Sequence, residues 1–205
     1  MKNLNYALLM ICISIFMASC NRSTPTVEAG ASNAVLTGNY NPTGILNWTG
    51  KGVGHSHNGT IGISKASVSF KEGILSAAEF EIDMNNITAE SLASDTAKHA
   101  KLVGHLKSSD FFTVDSFPTA KFVMTSFANN TINGDMTLKG ITKPIQFPVT
   151  IAEDSIGFTI NGNIDLDRTI FNVQAGSAKF FDIKKLGDHL IEDIIKISFE
   201  LKGTK

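Results

Sequence analysis

From about residue 78 to the C-terminus, apolar and polar residues alternate along much of the chain. In Ala78–Met84, the apolar side chains of Phe80, Ile82 and Met84 occupy alternate positions, and acidic residues occupy positions 79, 81 and 83. Because successive side chains of a β-strand point to opposite faces, this period of two predicts a strand with one buried face. The same pattern recurs in residues 120–125, 132–139, 145–151, 156–166 and 195–202.

Short sequences typical of turns separate several of these stretches. They are Lys71-Glu72-Gly73, Asn129-Asn130, Lys139-Gly140 and Glu153-Asp154. Connections this short join neighbouring antiparallel strands. Several strands, each with one apolar face, have to bury those faces against one another. We therefore predict an all-β antiparallel fold, closed as a sandwich or a barrel, with one or two short helices.

Two segments interrupt the alternation. Residues 94–107 place His99, Leu102 and Leu106 at helical spacing and contain no proline, which predicts a short helix capped by Ser94 or Asp95. Residues 187–193 are a weaker candidate for one helical turn, with Asp188 as its cap.

The N-terminus has the features of a secretory signal. One early cation, Lys2, precedes an apolar run from Tyr6 to Met17, and small residues then lead into Cys20. The apolar core of about 12 residues is shorter than the roughly 20 that cross a bilayer as a helix. The sequence Met17-Ala18-Ser19-Cys20 resembles a bacterial lipobox, which implies removal of residues 1–19 and a diacylated Cys20 that anchors the protein to a membrane.

Downstream of the signal, residues 20–33 are small and polar and include a proline, which predicts a flexible tether before a folded domain at 34–205. Loss of Lys2 leaves 17 of the 18 basic residues against 19 acidic ones. This slightly acidic balance, without a basic patch, argues against nucleic-acid binding. Because Cys12 is removed and Cys20 is acylated, no disulfide can form. We expect a protein of the bacterial cell envelope, anchored to a membrane and facing the periplasm.

The sequence offers little for catalysis or metal binding. His55 and His57 would share one face of a strand, but a catalytic zinc site needs a third protein ligand. The chain contains neither a His-Glu-x-x-His motif nor a Gly-x-Ser-x-Gly motif. We therefore expect no enzymatic activity and no metal, and an enzyme that uses the His55 and His57 region is the weaker alternative.

Four clusters of residues carry a family resemblance. They are Trp48–Lys51 with Gly54–Gly59, His105–Phe112 with Phe117–Phe122, Gly134–Pro144, and Asp167–Phe171. In their order and approximate spacing, these clusters resemble the YceI-like family of lipid-binding barrels. The resemblance covers the chain from about Trp48 to the C-terminus.

The resemblance implies an extended, lipocalin-like antiparallel barrel with an elongated apolar cavity. It also implies a ligand from the class of long isoprenoid chains, such as polyprenyl phosphates or quinones, and no other cofactor. Members of the family are usually periplasmic, so the lipobox indicates a tethered version. The particular ligand does not carry over from the resemblance.

The inward positions of the predicted strands supply candidate ligand contacts. The candidates for the cavity wall are Trp48, Phe80, Ile82, Phe122, Met124, Phe147, Phe158 and Ile160. Arg168 is a candidate contact for a polar head group, because a guanidinium matches phosphate well, although an Asp-Arg pair also occurs as ordinary turn chemistry. A hollow barrel predicts that Gly162→Phe blocks the cavity, whereas a filled barrel predicts that it overpacks the core.

The leading hypothesis is a lipid-anchored binding protein that holds a long-chain isoprenoid or similar amphiphile inside its barrel. The alternative is an envelope interaction module with a filled interior and no catalytic role. The expected partners are the lipid ligand and the membrane that acylated Cys20 enters, and a homodimer stays open.

Overall fold

The structure is a computed structural model that describes residues 35–205. The signal, the acylated cysteine and the tether predicted for residues 1–33 lie outside the described residues. The strands are β1 Gly38–Tyr40, β2 Thr43–Gly52, β3 His55–Lys71, β4 Ile74–Ile87, β5 Thr119–Ala128, β6 Thr131–Leu138, β7 Ile141–Glu153, β8 Gly157–Asp167 and β9 Ile194–Thr204. The α-helices are α1 Thr96–Lys107 and α2 Ile183–Leu186. Single 3₁₀ turns lie at Glu90–Leu92, Arg168–Phe171 and Gly187–His189.

Strands β2 to β9 form a closed antiparallel barrel. Their order around the barrel is β3-β2-β9-β8-β7-β6-β5-β4, and β4 pairs with β3 to close it. Strand β1 pairs with the last part of β3 and continues the line of β2 beyond Pro42, whose missing N–H interrupts the ladder. Closure leaves none of these eight strands with a free edge. The predicted all-β, antiparallel, lipocalin-like barrel is thus confirmed.

The two-residue turns explain why the strands follow one another so closely. Glu72 and Gly73, Asn129 and Asn130, and Lys139 and Gly140 all have positive φ angles. Positive φ at both central residues is the geometry of a type I′ turn, whose twist matches that of the strands it joins. Glycine and asparagine adopt this conformation at the smallest cost.

The connections divide the barrel into two ends of different character. We call the end with the turns at 72–73, 129–130 and 154–156 the closed end. We call the other the open end, because it carries both long connections, residues 88–118 between β4 and β5 and residues 168–193 between β8 and β9.

The helices lie within the two long connections. Helix α1 confirms the first helical prediction, and Asp95 is its cap because its carboxylate accepts a hydrogen bond from the Lys98 amide at 3.0 Å. The second predicted segment contains a single 3₁₀ turn at Gly187–His189, but Asp188 lies within this turn and no side chain caps it, so the predicted cap is wrong. The preceding helix α2 is capped by Asp182, whose carboxylate accepts a hydrogen bond from the Lys184 amide at 2.9 Å. No helix among residues 35–205 is long and apolar enough to span a bilayer.

Aromatic rings fill the closed end. The ring of Phe158 lies 5.1 Å from that of Phe70 and 5.2 Å from that of Tyr40, and both pairs pack edge to face. A Cβ atom on Gly203 would overlap the Phe158 ring, so this glycine lets the ring lie flat against the neighbouring strand. Buried Leu36 and Val68 belong to the same core, and this part of the barrel is tightly packed.

Two further rings cover glycines in the middle of the barrel. Phe122 lies over Gly134 on β6, and Phe199 lies over Gly162 on β8. A side chain at Gly162 would therefore enter the Phe199 ring. This overturns the idea that Gly162→Phe would plug an open space, because that space is already occupied.

Candidate functional site

The open half of the barrel encloses a cavity of about 620 Å³. Its walls consist mainly of apolar side chains from the strands, from helix α1 and from the two long connections. The apolar lining includes Leu46, Trp48, Ile61, Phe80, Ile82, Met84, Leu102, Leu106, Phe111, Phe112, Phe122, Phe147, Ile164, Leu166, Ile195, Ile197 and Phe199. Single cavities of about 300–1,000 Å³ are typical of sites for small molecules.

The structure divides the predicted wall residues into two groups. Those that line the cavity are Trp48, Phe80, Ile82, Phe122 and Phe147. Met124, Phe158 and Ile160 lie outside the cavity lining. Met124 follows Phe122 along β5 toward the closed end, and the other two lie at the start of β8 among the residues that fill that end. Contact of any of these residues with a ligand stays a prediction.

Helix α1 and the residues after it supply a part of the wall that the strand pattern did not identify. Leu102 and Leu106 line the cavity from the helix, followed by Phe111 and Phe112. The four-residue spacing of the two leucines was visible in the sequence, and it indicates a helix with one apolar stripe. The stripe does not reveal that it faces the inside of the barrel.

A hydrogen bond holds Trp48 in the wall, and a glycine on the neighbouring strand makes room for that bond. Its Nε1 donates to the carbonyl oxygen of Thr88 at 3.0 Å. Gly59 lies opposite Trp48 on β3, and a Cβ there would overlap the same Thr88 carbonyl. The glycine therefore allows the chain after β4 to come close enough to bond the indole, which leaves the apolar face of the ring for the cavity.

Charged and titratable side chains also line the cavity. They are Lys51, Lys98, Lys101, His55, His57, His105, His189, Asp188 and Glu192. They lie on α1, on the connection between β8 and β9, and where β2 meets β3, which places all of them in the half of the barrel at the open end. The rim is therefore polar and carries charges of both signs, and one of its lysines, Lys98, is paired with Asp95 at 3.0 Å.

His55 and His57 lie side by side on this rim. Their ring centroids are 5.3 Å apart, His55 Nδ1 lies 2.8 Å from the Val53 carbonyl oxygen, and His57 Nδ1 lies 3.2 Å from Ser91 Oγ. Burial, and then the nearby His55, lower the pKa of the His57 imidazole below its usual value. Within residues 35–205, no three His, Cys, Asp or Glu side chains are grouped so that they could hold a metal ion.

Arg168 does not lie on the rim, which corrects its candidate role as a head-group contact. Its side chain is fully buried, and its guanidinium donates to the carbonyl oxygens of Val173 at 2.6 Å, Ile191 at 3.1 Å and Glu192 at 3.1 Å. The guanidinium also lies over the Phe111 ring, 5.4 Å from its centroid. Arg168 therefore ties together the connection between β8 and β9, which agrees with the alternative of turn chemistry.

Asp167 strengthens the same connection. Its carboxylate accepts hydrogen bonds from the Thr169 amide at 2.9 Å and from Lys179 Nζ at 2.8 Å. Burial by itself would raise the pKa of Asp167, but the bonds from Lys179 and Thr169 outweigh it and lower the pKa. The connection is thus held by buried and half-buried polar contacts at the edge of the cavity.

Comparisons with known proteins agree with this architecture. Residues 35–203 match the sequence profile of the YceI-like domain. A UPF0312 protein of Shewanella denitrificans is 36% identical over 94 residues, which cover 43% of this chain and 44% of that protein. A UPF0312 protein of Pseudomonas putida is 30% identical over 112 residues, which cover 52% and 55%. The chain therefore spans about half the length of these curated relatives.

Two solved structures share the fold. The crystal structure of BcnA from Burkholderia cenocepacia matches with a TM-score of 0.62 and 23% identity, over 78% of this chain and 95% of BcnA. A polyisoprenoid binding domain from Saccharophagus degradans matches with a TM-score of 0.57 and 13% identity, over 80% of this chain and 97% of that domain.

Proposed function

The chain belongs to the YceI-like domain family, and on that premise we propose that it binds one long-chain amphiphilic lipid of the isoprenoid class in the cavity at the open end. The observation that carries this proposal is the combination of one filled end, an apolar cavity of about 620 Å³ and a polar rim. An amphiphile fits this arrangement, because its tail can pack against the apolar walls and its head group can contact the polar rim.

The energetics fit reversible binding. Each buried methylene is worth roughly 0.8 kcal/mol relative to water, so the tail does not leave the cavity for water. A bilayer is about as apolar as the cavity, so moving the tail between the two is close to neutral. The protein can therefore take a lipid from a membrane and return it, which transport, storage or sequestration requires.

Two lysines of the rim offer contacts for an anionic head group. Lys51 and Lys101 line the cavity together with four histidines, and a lysine binds phosphate as a point charge. A polyprenyl phosphate would use these groups, whereas a quinone head group would leave them unused. The similarity in fold to the polyisoprenoid binding domain of Saccharophagus degradans supports an isoprenoid tail.

We also propose that acylated Cys20 anchors the protein in the cell envelope, facing the periplasm. The described chain begins at the closed end, where the Gly73 amide donates to the Leu36 carbonyl oxygen. Fourteen residues, 20–33, reach at most about 50 Å when fully extended. An eleven-residue strand such as β8 is roughly 37 Å long, so the tether is long enough for either end of the barrel to face the membrane.

The filled-barrel alternative does not fit the open half of the molecule. Side chains interlock in the closed half, but in the open half the walls enclose a cavity. An interaction module has no need of such a cavity, which would lower stability if nothing occupied it. A lipid-binding role is therefore the function that the geometry favours.

Native mass spectrometry of gently purified full-length protein, followed by lipid extraction, tests the proposal. We expect one long-chain lipid per chain. Gly50→Leu should reduce occupancy severalfold, because Gly50 lines the cavity and a Cβ there meets only Trp48 at 3.8 Å. Gly104→Leu is the matched control, since Gly104 lies on α1, is exposed and has no atom within 4 Å of its added Cβ.

The absence of any bound lipid under several expression conditions would contradict the proposal. Equal occupancy in Gly50→Leu and Gly104→Leu would place the lipid outside the cavity.

A further inference from the structure

We propose that residues 180–185, which we call the docking loop, form a contact surface for an anionic lipid bilayer and bring the open end of the barrel to the membrane. The sequence of the loop is Phe-Phe-Asp-Ile-Lys-Lys. This inference rests on the proposed function, because the docking loop would be the surface beside which a lipid passes between bilayer and cavity.

The apolar side chains of the docking loop are exposed to solvent. Phe180 is 46% exposed, Phe181 is 49% exposed and Ile183 is 62% exposed. Three large apolar side chains are thus exposed within four consecutive positions. Exposed apolar patches commonly mark sites of contact with a protein or a membrane.

The backbone around the loop is held in place. The amides of Phe180 and Phe181 both donate to the carbonyl oxygen of Ser177 at 3.1 Å, and Ser177 is fully buried. The amide of Lys185 donates to the Asp182 carbonyl oxygen at 2.9 Å, which closes the turn of α2. The fold therefore presents these rings outward on an anchored turn.

The charge of the loop selects the partner. Lys184 and Lys185 are exposed, and no carboxylate among residues 35–205 lies within 4.0 Å of either ammonium group. By contrast, the preceding Lys179 is paired with Asp167 and Asp193. Aromatic side chains beside lysines are the composition of segments that lie in the interface of an anionic bilayer.

The docking loop is continuous with the cavity rim. Leu186 follows it directly and lines the cavity, and so do Asp188 and His189. Insertion of the two phenylalanines into a bilayer would therefore bring the rim against the lipid head groups. A lipid tail could then enter the cavity without being exposed to water, where each methylene costs about 0.8 kcal/mol.

The closed end lacks this combination of features. Ile74 and Ile156 are exposed there, by 63% and 75%, but each is a single large apolar residue, and neither turn has two adjacent lysines beside it. These isoleucines therefore serve as a control, because they are more exposed than Phe180 and Phe181.

Hydrogen exchange of the full-length protein tests the docking loop directly. Exchange is measured by mass spectrometry without vesicles, with phosphatidylcholine vesicles, and with phosphatidylcholine containing about 30% phosphatidylglycerol. We expect exchange of the amides at 179–187 to slow by about tenfold or more with the anionic vesicles only. The turns at 72–75 and 154–157 should not change.

Paired variants separate the contributions of the rings and the lysines. Phe180→Ser with Phe181→Ser should remove the protection, and Lys184→Gln with Lys185→Gln should reduce it by about tenfold at low salt. Ile74→Ser with Ile156→Ser should leave it unchanged. All six side chains are exposed, so the fold should tolerate each pair.

Three results would overturn the inference: protection of the closed-end turns instead of the loop, equal protection in the phenylalanine and isoleucine pairs, or self-association that only the phenylalanine pair removes. The last would assign the patch to a second copy of the chain. Lipid occupancy in detergent, measured by native mass spectrometry, keeps the two proposals apart. Normal occupancy without loop protection refutes docking alone, and loss of occupancy in the unmodified chain refutes the proposed function.

Discussion

At the closed end, the rings of Tyr40, Phe70 and Phe158 meet inside the barrel, whereas at the open end the same strands enclose about 620 Å³ of space. The closed end has tight turns that bring the strands together. The open end has two long connections, which carry a helix, part of the polar rim and the docking loop. One barrel thus combines a packed core with a binding cavity.

The comparison shows that glycines position the rings that bound the cavity. Phe122 covers Gly134, and Phe199 covers Gly162, so each ring lies against a neighbouring strand. A side chain at either glycine would displace its ring, because a packed interior leaves no room for both. Gly134 and Gly162 are therefore part of the packing and do not add to the free space.

The two ends are also stabilised in different ways. Apolar contacts stabilise the closed end, where the buried residues interlock. At the open end the cavity removes part of that contact, and the connection between β8 and β9 depends on the buried Arg168. Substitutions at the two ends should therefore act through different physical terms.

Arg168→Leu should have the largest effect on stability. It leaves three carbonyl oxygens, of Val173, Ile191 and Glu192, without their donor, and we expect the free energy of unfolding to fall by about 4 kcal/mol. Urea denaturation measures the change. Arg168→Lys keeps the charge but loses the geometry of the guanidinium. Its free energy of unfolding should lie between those of the unmodified protein and Arg168→Leu. A loss below about 1 kcal/mol for Arg168→Leu would show that the connection is held by other contacts.

Phe158→Ala should be the next most damaging change. It opens a cavity in the packed end, with an expected loss of about 3 kcal/mol in the free energy of unfolding. Phe80→Ala removes the same ring from a half-buried position on the wall of an existing cavity, and it should cost about 1 kcal/mol. Equal losses in the two variants would contradict the difference in packing between the two ends.

Leucine at two glycines compares free and occupied space within the barrel. Gly162→Leu should destabilise the protein by roughly 1–3 kcal/mol, because its side chain collides with Phe199. Gly50→Leu should change stability by less than about 1 kcal/mol, because the cavity receives the new side chain. Thermal unfolding of the lipid-free proteins gives both values. The reverse order would mean that the free space lies beside Gly162.

The pH dependence of stability that arises at the rim should be the smallest of the four predicted effects. The unfolded chain takes up a proton at His57 at higher pH than the folded chain, because burial and His55 lower the pKa of the folded imidazole. Stability should therefore fall as the pH drops through the unfolded pKa of about 6.5. Between about pH 7.5 and 5.5, the unmodified protein should lose slightly more stability than His57→Gln, as urea denaturation at each pH would show.

A control variant identifies the source of this pH effect. His55→Gln removes only one of the two causes and should reduce the pH dependence by less than His57→Gln does. A larger pH-dependent loss in His57→Gln than in the unmodified protein would reverse the predicted sign.

The alternation of apolar and polar residues predicted the strands from β4 to β9, because the direction of each side chain in a strand is a local property of the backbone. It did not identify β1, β2 or β3, which the structure places at residues 38–40, 43–52 and 55–71. Asn129-Asn130 and Lys139-Gly140 predicted their turns from local conformation, and of the two candidate caps for α1, Ser94 and Asp95, the structure selects Asp95. The N-terminal prediction of an acylated Cys20 is equally local, and it stays a prediction because Cys20 lies outside the described residues.

Only the tertiary structure decided which inward residues face empty space. Phe122 and Phe158 have the same pattern around them in the sequence, yet the first lines the cavity and the second fills the closed end. The difference depends on rings and glycines from strands that are distant along the chain. The same holds for Arg168, whose three carbonyl partners come together only when the connection between β8 and β9 folds back on the barrel. Spacing along one strand carries no information about distances across the barrel.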